Sequence, residues 1–244
     1  MEICIDSVES AINAENAGAS RVELCSNLME GGTTPSLGVF QIVKKKTSIP
    51  VFVMIRPRGG DFLYSDTEFE VMKTNVKIFK QHNADGFVFG ILTKDGEIDL
   101  TRNKELIDLC KPKPVTFHRA FDVVCDGDKA LEDVISLGFT RILTSGMEST
   151  CLEGLPNLTH YVKKANGRIT IVPGGGINER NVERILSGSG AKEFHCSARS
   201  SRQSDMVYRR NDIHMGAALY PAEYSLKASN TERIKFMLSL QKSI

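Results

Sequence analysis

Glu2-Ile3-Cys4-Ile5-Asp6 and Arg21-Val22-Glu23-Leu24-Cys25 are two short runs in which apolar and polar residues alternate. Strands buried on both faces ordinarily read as continuous apolar runs. Here the alternation returns in Met54-Ile55-Arg56-Pro57-Arg58, Thr116-Phe117-His118-Arg119 and Glu193-Phe194-His195-Cys196, with charged and reactive members late in each run. Such side chains at the carboxyl ends of several strands are the pattern of a closed parallel barrel whose strand ends build a site.

Working outward, a strand–helix alternation can be followed eight times. Strands are expected at 2–5, 21–24, 51–55, 86–89, 115–118, 141–144, 170–172 and 193–196. Helices are expected at 8–17, up to Lys46, up to about His82, at 101–110, 129–137, 155–166 and up to about Ser187. Asp6 with Glu9 reads as a capping box for the first helix, and Gly18 as its stop. The loop 25–36 is rich in glycine, threonine and proline, and the loop 56–66 contains Gly59-Gly60. Eight strands with helical connections and no composition break favour a (β/α)8 TIM-type barrel over an open doubly wound sheet. One domain is expected over 1–244, with a barrel core at about 1–197 and a tail at about 198–244. The polar, arginine-bearing stretch 198–230 falls outside the repeat and precedes a final helix at 231–241. A connection that long is usually functional or disordered, so it either folds over the barrel mouth or reaches a neighbouring subunit.

A length of 244 residues suits one such barrel, and 41% apolar with 25% charged residues suits a soluble chain with a large core. A net charge of +1 gives no general attraction to nucleic acid or anionic membranes. Lys44-Lys45-Lys46 reads as a solvated helix end, favoured by the helix dipole. No apolar stretch approaches the ~18 residues of a membrane span, and no basic-then-apolar leader precedes the first strand. The expected compartment is therefore the cytoplasm. The six cysteines have irregular spacing and no Cys-x-x-Cys, which argues against a disulfide framework and a zinc ribbon.

Strand parity decides which side chains meet. With Ile3, Ile5, Val22 and Leu24 toward the helices, Glu2, Cys4, Asp6, Arg21, Glu23 and Cys25 point into the barrel. Cys4 and Cys25 then approach from neighbouring strands, with Met54 on the same interior face. Two thiolates and a thioether make a soft site suited to Cu(I); the plainer alternative is a pair of small core cysteines. His195 and Cys196 point opposite ways and are a poor chelate. Glu23, Arg56, His118 and His195 form a possible acid, base and anion-binding set, or else an internal ion-pair network. Gly174, Gly175 and Gly176, opening a helix after the seventh strand, and Ser145 after the sixth, are candidates for holding an anion on backbone N–H groups. The alternative for them is a tight turn.

The segments starting at Glu2 and Arg21, together with Glu30-Gly31-Gly32-Thr33-Thr34-Pro35-Ser36, Val53-Met54-Ile55-Arg56-Pro57-Arg58-Gly59-Gly60-Asp61-Phe62, Thr116-Phe117-His118-Arg119-Ala120-Phe121-Asp122 and Glu193-Phe194-His195-Cys196-Ser197-Ala198, resemble the CutC family. Glu223-Tyr224-Ser225 extends the match into the tail, and metazoan-type members look most similar. The resemblance implies a TIM-type barrel assembled as a homo-oligomer, a dimer or tetramer, in the cytoplasm and, in animal cells, the nucleus. It implies copper homeostasis with Cu(I) bound at Cys4 and Cys25, the copper ion being the partner and no nucleic acid or membrane. That role leaves the charged ring unused. The competing expectation is an enzyme acting on a small anionic or phosphorylated metabolite, with Glu23 or His118 as acid or base, Arg56 and the glycine turn on the anion, and His195 orienting the substrate. A third is an assembly scaffold organised by the tail.

Overall fold

Alternation in the short runs becomes a barrel because their two faces bury differently. In the computed structural model, which describes residues 1–213, 215 and 223–242, the strands are β1 (Glu2–Ile5), β2 (Arg21–Leu24), β3 (Val51–Met54), β4 (Gly86–Phe89), β5 (Val115–Phe117), β6 (Arg141–Thr144), β7 (Thr170–Pro173) and β8 (His195–Cys196). They form one parallel sheet in the order β7-β6-β5-β4-β3-β2-β1-β8. A parallel bridge between Gly174 and His195 joins its two ends and closes the cylinder. The expected (β/α)8 barrel is the fold observed.

Outward-facing residues such as Ile3, Val22, Val53, Phe87, Phe117, Ile142 and Ile171 join one large core with the surrounding helices. Those helices are α1 (Val8–Ala17), α2 (Leu37–Lys46), α3 (Asp66–Gln81), α4 (Leu100–Cys110), α5 (Gly127–Leu137), α6 (Leu155–Ala165), α7 (Val182–Ser189) and α8 (Thr231–Lys242). Inward-facing Cys4, Cys25, Phe52, Met54 and Val88 form a second, smaller cluster inside the cylinder. Cys196 belongs to the outer core while His195 lines the interior cavity, as parity requires.

Local chemistry sets the helix ends, and differs from expectation in several places. The cap of α1 is Ser7, whose hydroxyl accepts from Ser10 N at 3.2 Å, not Asp6 with Glu9. Asp6 instead faces Arg199 at 3.4 Å. The capping box occurs at α3, where Ser65 and Glu68 exchange side-chain and backbone bonds. Gly174, Gly175 and Gly176 do not open a helix: α7 starts at Val182, and Gly176 O instead accepts from Asn178 and Asn181. Short 3-10 turns at Leu28–Glu30 and Arg119–Val123 were not anticipated, having too few residues for a periodic signal.

The tail also differs. An antiparallel ribbon pairs β9 (Arg199–Gln203) with β10 (Ser225–Ser229). Its polar residues hid the strands, since two exposed strands need no apolar face. Ser229 N donates to Ser10 Oγ at 3.0 Å, and Arg233 pairs with Glu179, anchoring the ribbon and α8 on the barrel's outer layer. Part of the expected tail segment, residues 214 and 216–222, lies outside the described residues.

Phe52 fills the lower interior, with the guanidinium carbons of Arg21 and Arg141 each 5.5 Å from its ring centroid. Gly86 on β4 makes room for that ring: a Cβ there would lie 2.6 Å from Phe52 Cε2. Overpacking of this kind costs about 1–3 kcal/mol. Gly86→Ala is expected to lower the urea midpoint accordingly, and Phe52→Leu in the same background to restore part of it. An unchanged midpoint in Gly86→Ala would show that the ring is free to move.

Candidate functional site

The barrel interior is a ladder of charge that ends on two thiols. At its amino end Arg21 pairs with Glu2 through Nε, and its Nη2 lies 2.7 Å from Glu193 Oε2 as an ion pair rather than a hydrogen bond. Glu193 also meets Arg141 at 3.4 Å. Glu2 Oε1 contacts His195 Nδ1 at 2.7 Å, and His195 Nε2 lies 3.7 Å from Glu23 Oε2. That same oxygen accepts from Cys4 Sγ at 3.1 Å and Cys25 Sγ at 3.5 Å. The two sulfurs are 3.8 Å apart. Register explains the meeting: Cys4 on β1 is the direct partner of Glu23 on β2, and Glu2 that of both Arg21 and His195.

Burial makes each charge depend on its neighbour. It opposes ionisation of Glu2, yet the His195 hydrogen bond and the Arg21 charge outweigh it and bring the carboxyl down to about 2. Burial likewise opposes a charge on His195, but Glu23, Cys4 and Glu2 hold the imidazolium well above the usual histidine range. Glu23 is raised, chiefly by burial, with His195 acting against it. The hydrogen bond with Cys25, burial and the Glu23 charge push the Cys4 thiol far up. Cys25 is lowered by its bond with Cys4, but burial and Glu23 override this and take it up to about 12. Both cysteines are therefore thiols until something stronger than a proton replaces the hydrogens.

Among the described residues, two trios of potential ligand atoms lie close enough to share an ion: Cys4, Glu23 and Cys25, and Glu2, Glu23 and His195. They differ in fitness. The first presents sulfur donors, which suit soft cations. The second offers two carboxylates and an imidazole, donors that suit harder and borderline cations rather than Cu(I).

At the carboxyl end lies a cavity of about 290 Å³, lined in part by Cys4, Glu23, Met54, Phe62, His118 and Arg119. Glu23, His118 and His195 thus share its wall. Burial and the Arg56 charge depress His118 to about 3, so the ring is neutral. Its Nδ1 accepts from Ala120 N at 3.3 Å, placing the proton on Nε2.

Arg56 is committed to the loops through both terminal nitrogens, while its buried Nε has no hydrogen-bond partner among the described residues and the residue lines the cavity. Its Nη1 donates to Glu30 O at 2.8 Å and Gly32 O at 3.0 Å, and its Nη2 to Gly60 O at 2.7 Å. The guanidinium clips the β2 and β3 loops together, over the Phe62 ring at 5.0 Å. Ser145 is also occupied, because the anion at the end of β6 is the chain's own. Asp122 accepts from Ser145 N at 3.0 Å, Met147 N at 3.1 Å, Ser145 Oγ and Thr144 Oγ1. Arg119 completes this cluster, with Nε 2.6 Å from Asp122 and Nη2 2.8 Å from Ser145 Oγ. Gly175 lets the Arg119 guanidinium lie close by, as a Cβ there would be 3.3 Å from its Cζ. Arg119 and Asp122 stood out in the sequence as members of the charged ring that the copper role leaves unused, but their i, i+3 pairing after the fifth strand did not by itself name a role.

The CutC family model matches residues 1–200. The chain belongs to the CutC family. Proteins named copper homeostasis protein cutC homolog from Mus musculus and Homo sapiens are 57% identical over 244 residues, covering 100% of this chain and 90% and 89% of theirs. A solved CutC structure from Streptococcus agalactiae matches with a TM-score of 0.77 and 37% identity, over 80% of this chain and 97% of that one. Every residue of the interior ladder and cavity described above lies inside the span the CutC family model matches.

Glu2 makes stability depend on pH in the acid range. Its folded value lies below its ordinary 4.5, so its stabilisation is present above 4.5 and is lost as pH falls toward about 2. Glu2→Gln strands Arg21 and His195 in the interior, with an expected loss of about 3–5 kcal/mol at neutral pH. Denaturant unfolding of both proteins is expected to show this gap narrowing below 4.5. A gap independent of pH would mean that the charge of Glu2 contributes nothing.

Proposed function

We propose that this chain binds one Cu(I) between Cys4 and Cys25 and serves copper homeostasis in the cytoplasm, and in animal cells the nucleus. The observation that carries this is the sulfur separation of 3.8 Å across adjacent strands. Two metal–thiolate bonds of about 2.3 Å each span at most about 4.6 Å, so one ion fits with a small opening of the pair. Two thiols, of which Cys4 lines the cavity, favour a soft monovalent ion over harder ones, and the names of the mouse and human relatives point the same way. Glu23, accepting from both thiols, holds them in place. All six cysteines are free, as a reducing compartment requires. One domain, with the tail packed on the barrel, forms a dimer or tetramer, and exposed Met206, Val207 and Tyr208 beyond β9 supply apolar surface for that contact.

Because both thiols must lose their protons, affinity rises with pH, by about tenfold per pH unit for each proton displaced. Anaerobic Cu(I) titration against a competing chelator is expected to show one tight equivalent, lost in Cys4→Ser and in Cys25→Ser. A site indifferent to both substitutions, or to pH, would return the pair to the role of small core residues.

A further inference from the structure

The copper reading leaves the carboxyl-end cavity without an occupant. We propose that this cavity binds a small organic anion, a carboxylate or phosphate ester that also carries a hydroxyl group. The proposal does not use the thiols, although Glu23 and Cys4 border both sites.

Among the described residues, three of the cavity wall carry a buried, unmet polar atom: Arg56 at Nε, and His118 and Glu23, on which the proposal rests. His118 is 3% exposed and Glu23 2% exposed, and both line the cavity. His118 Nε2 and Glu23 Oε1 have no hydrogen-bond partner among the described residues. An unmet buried polar atom costs about 1–3 kcal/mol, and native proteins retain few of them. One here is a donor, because the Ala120 N–H fixes the His118 tautomer; the other is a carboxyl oxygen. A ligand hydroxyl, which both donates and accepts, matches that pair. Phe62 supports the imidazole from one side, with centroids 4.8 Å apart.

At the rim stands Arg119, whose side chain is 43% exposed. Asp122 holds Arg119 Nε, but its oxygens are shared with Thr144, Ser145 and Met147. The guanidinium is therefore oriented without being used up, and Arg is suited to carboxylate and phosphate alike. A volume of about 290 Å³ corresponds to roughly ten waters at ~30 Å³ each, enough for a short hydroxylated anion.

D-glycerate and glycerol 3-phosphate are the probes, with glycerol as the uncharged control, titrated by ligand-observed NMR and calorimetry against the full chain. Saturable binding of either anion, weakened at least tenfold in Arg119→Gln and in His118→Ala, is expected; the tighter of the two identifies the carboxylate or the phosphate source. Arg119→Gln changes a half-exposed rim residue, so the test survives if His118→Ala fails to fold. Glycerol binding as tightly as the anions, no saturation by either anion, or affinities unchanged in Arg119→Gln would each overturn the proposal.

Discussion

His195 held between Glu2 and Glu23 is the interaction on which the rest of the interior depends. An imidazolium with a carboxylate 2.7 Å from one nitrogen and another 3.7 Å from the other ties β8 to β1 and β2. β8 is only two residues long, and its other neighbour is reached through the single Gly174 bridge. So short a strand has few ladder bonds to hold it, and the buried charge supplies what those bonds do not. The arrangement is committed: each charge is sheltered from water and survives only because its partner is charged too.

From this clamp the polarity of the barrel follows. Below it, Glu2, Arg21, Glu193 and Arg141 neutralise one another around the Phe52 ring. Above it, Glu23 turns one oxygen to both thiols and leaves the other without a partner among the described residues. A carboxylate that accepts from two thiols keeps them protonated and close, which suits a site that exchanges protons for a soft cation. The loops over it are fastened separately, by Arg56 on three carbonyl oxygens and by Asp122 at the β6 turn. Arg56 and Asp122 thus fasten loops while also lining the cavity.

Some of the site was legible because strand parity is a local rule. The alternation in Glu2-Ile3-Cys4-Ile5 and Arg21-Val22-Glu23-Leu24 was enough to send Cys4, Glu23 and Cys25 inward and Cys196 outward from His195. The extent of α1 was legible while its capping residue, Ser7, was not, and the start of α7 was misplaced because a long turn precedes Val182. The β9–β10 ribbon was illegible because neither strand has an apolar face to declare.

What the sequence by itself determined is the repeating unit and the direction of each strand side chain, since both depend on neighbours one to four residues away. Only the tertiary structure decided which of those side chains are spoken for. Whether Arg56 meets an anion or Gly60 O, whether Ser145 is open or filled by Asp122, and whether His118 is charged or neutral all turn on residues brought together by barrel closure. Charge and hydrogen-bond capacity are settled by the groups within a few ångströms, and in a closed barrel those groups come from strands far apart in the chain.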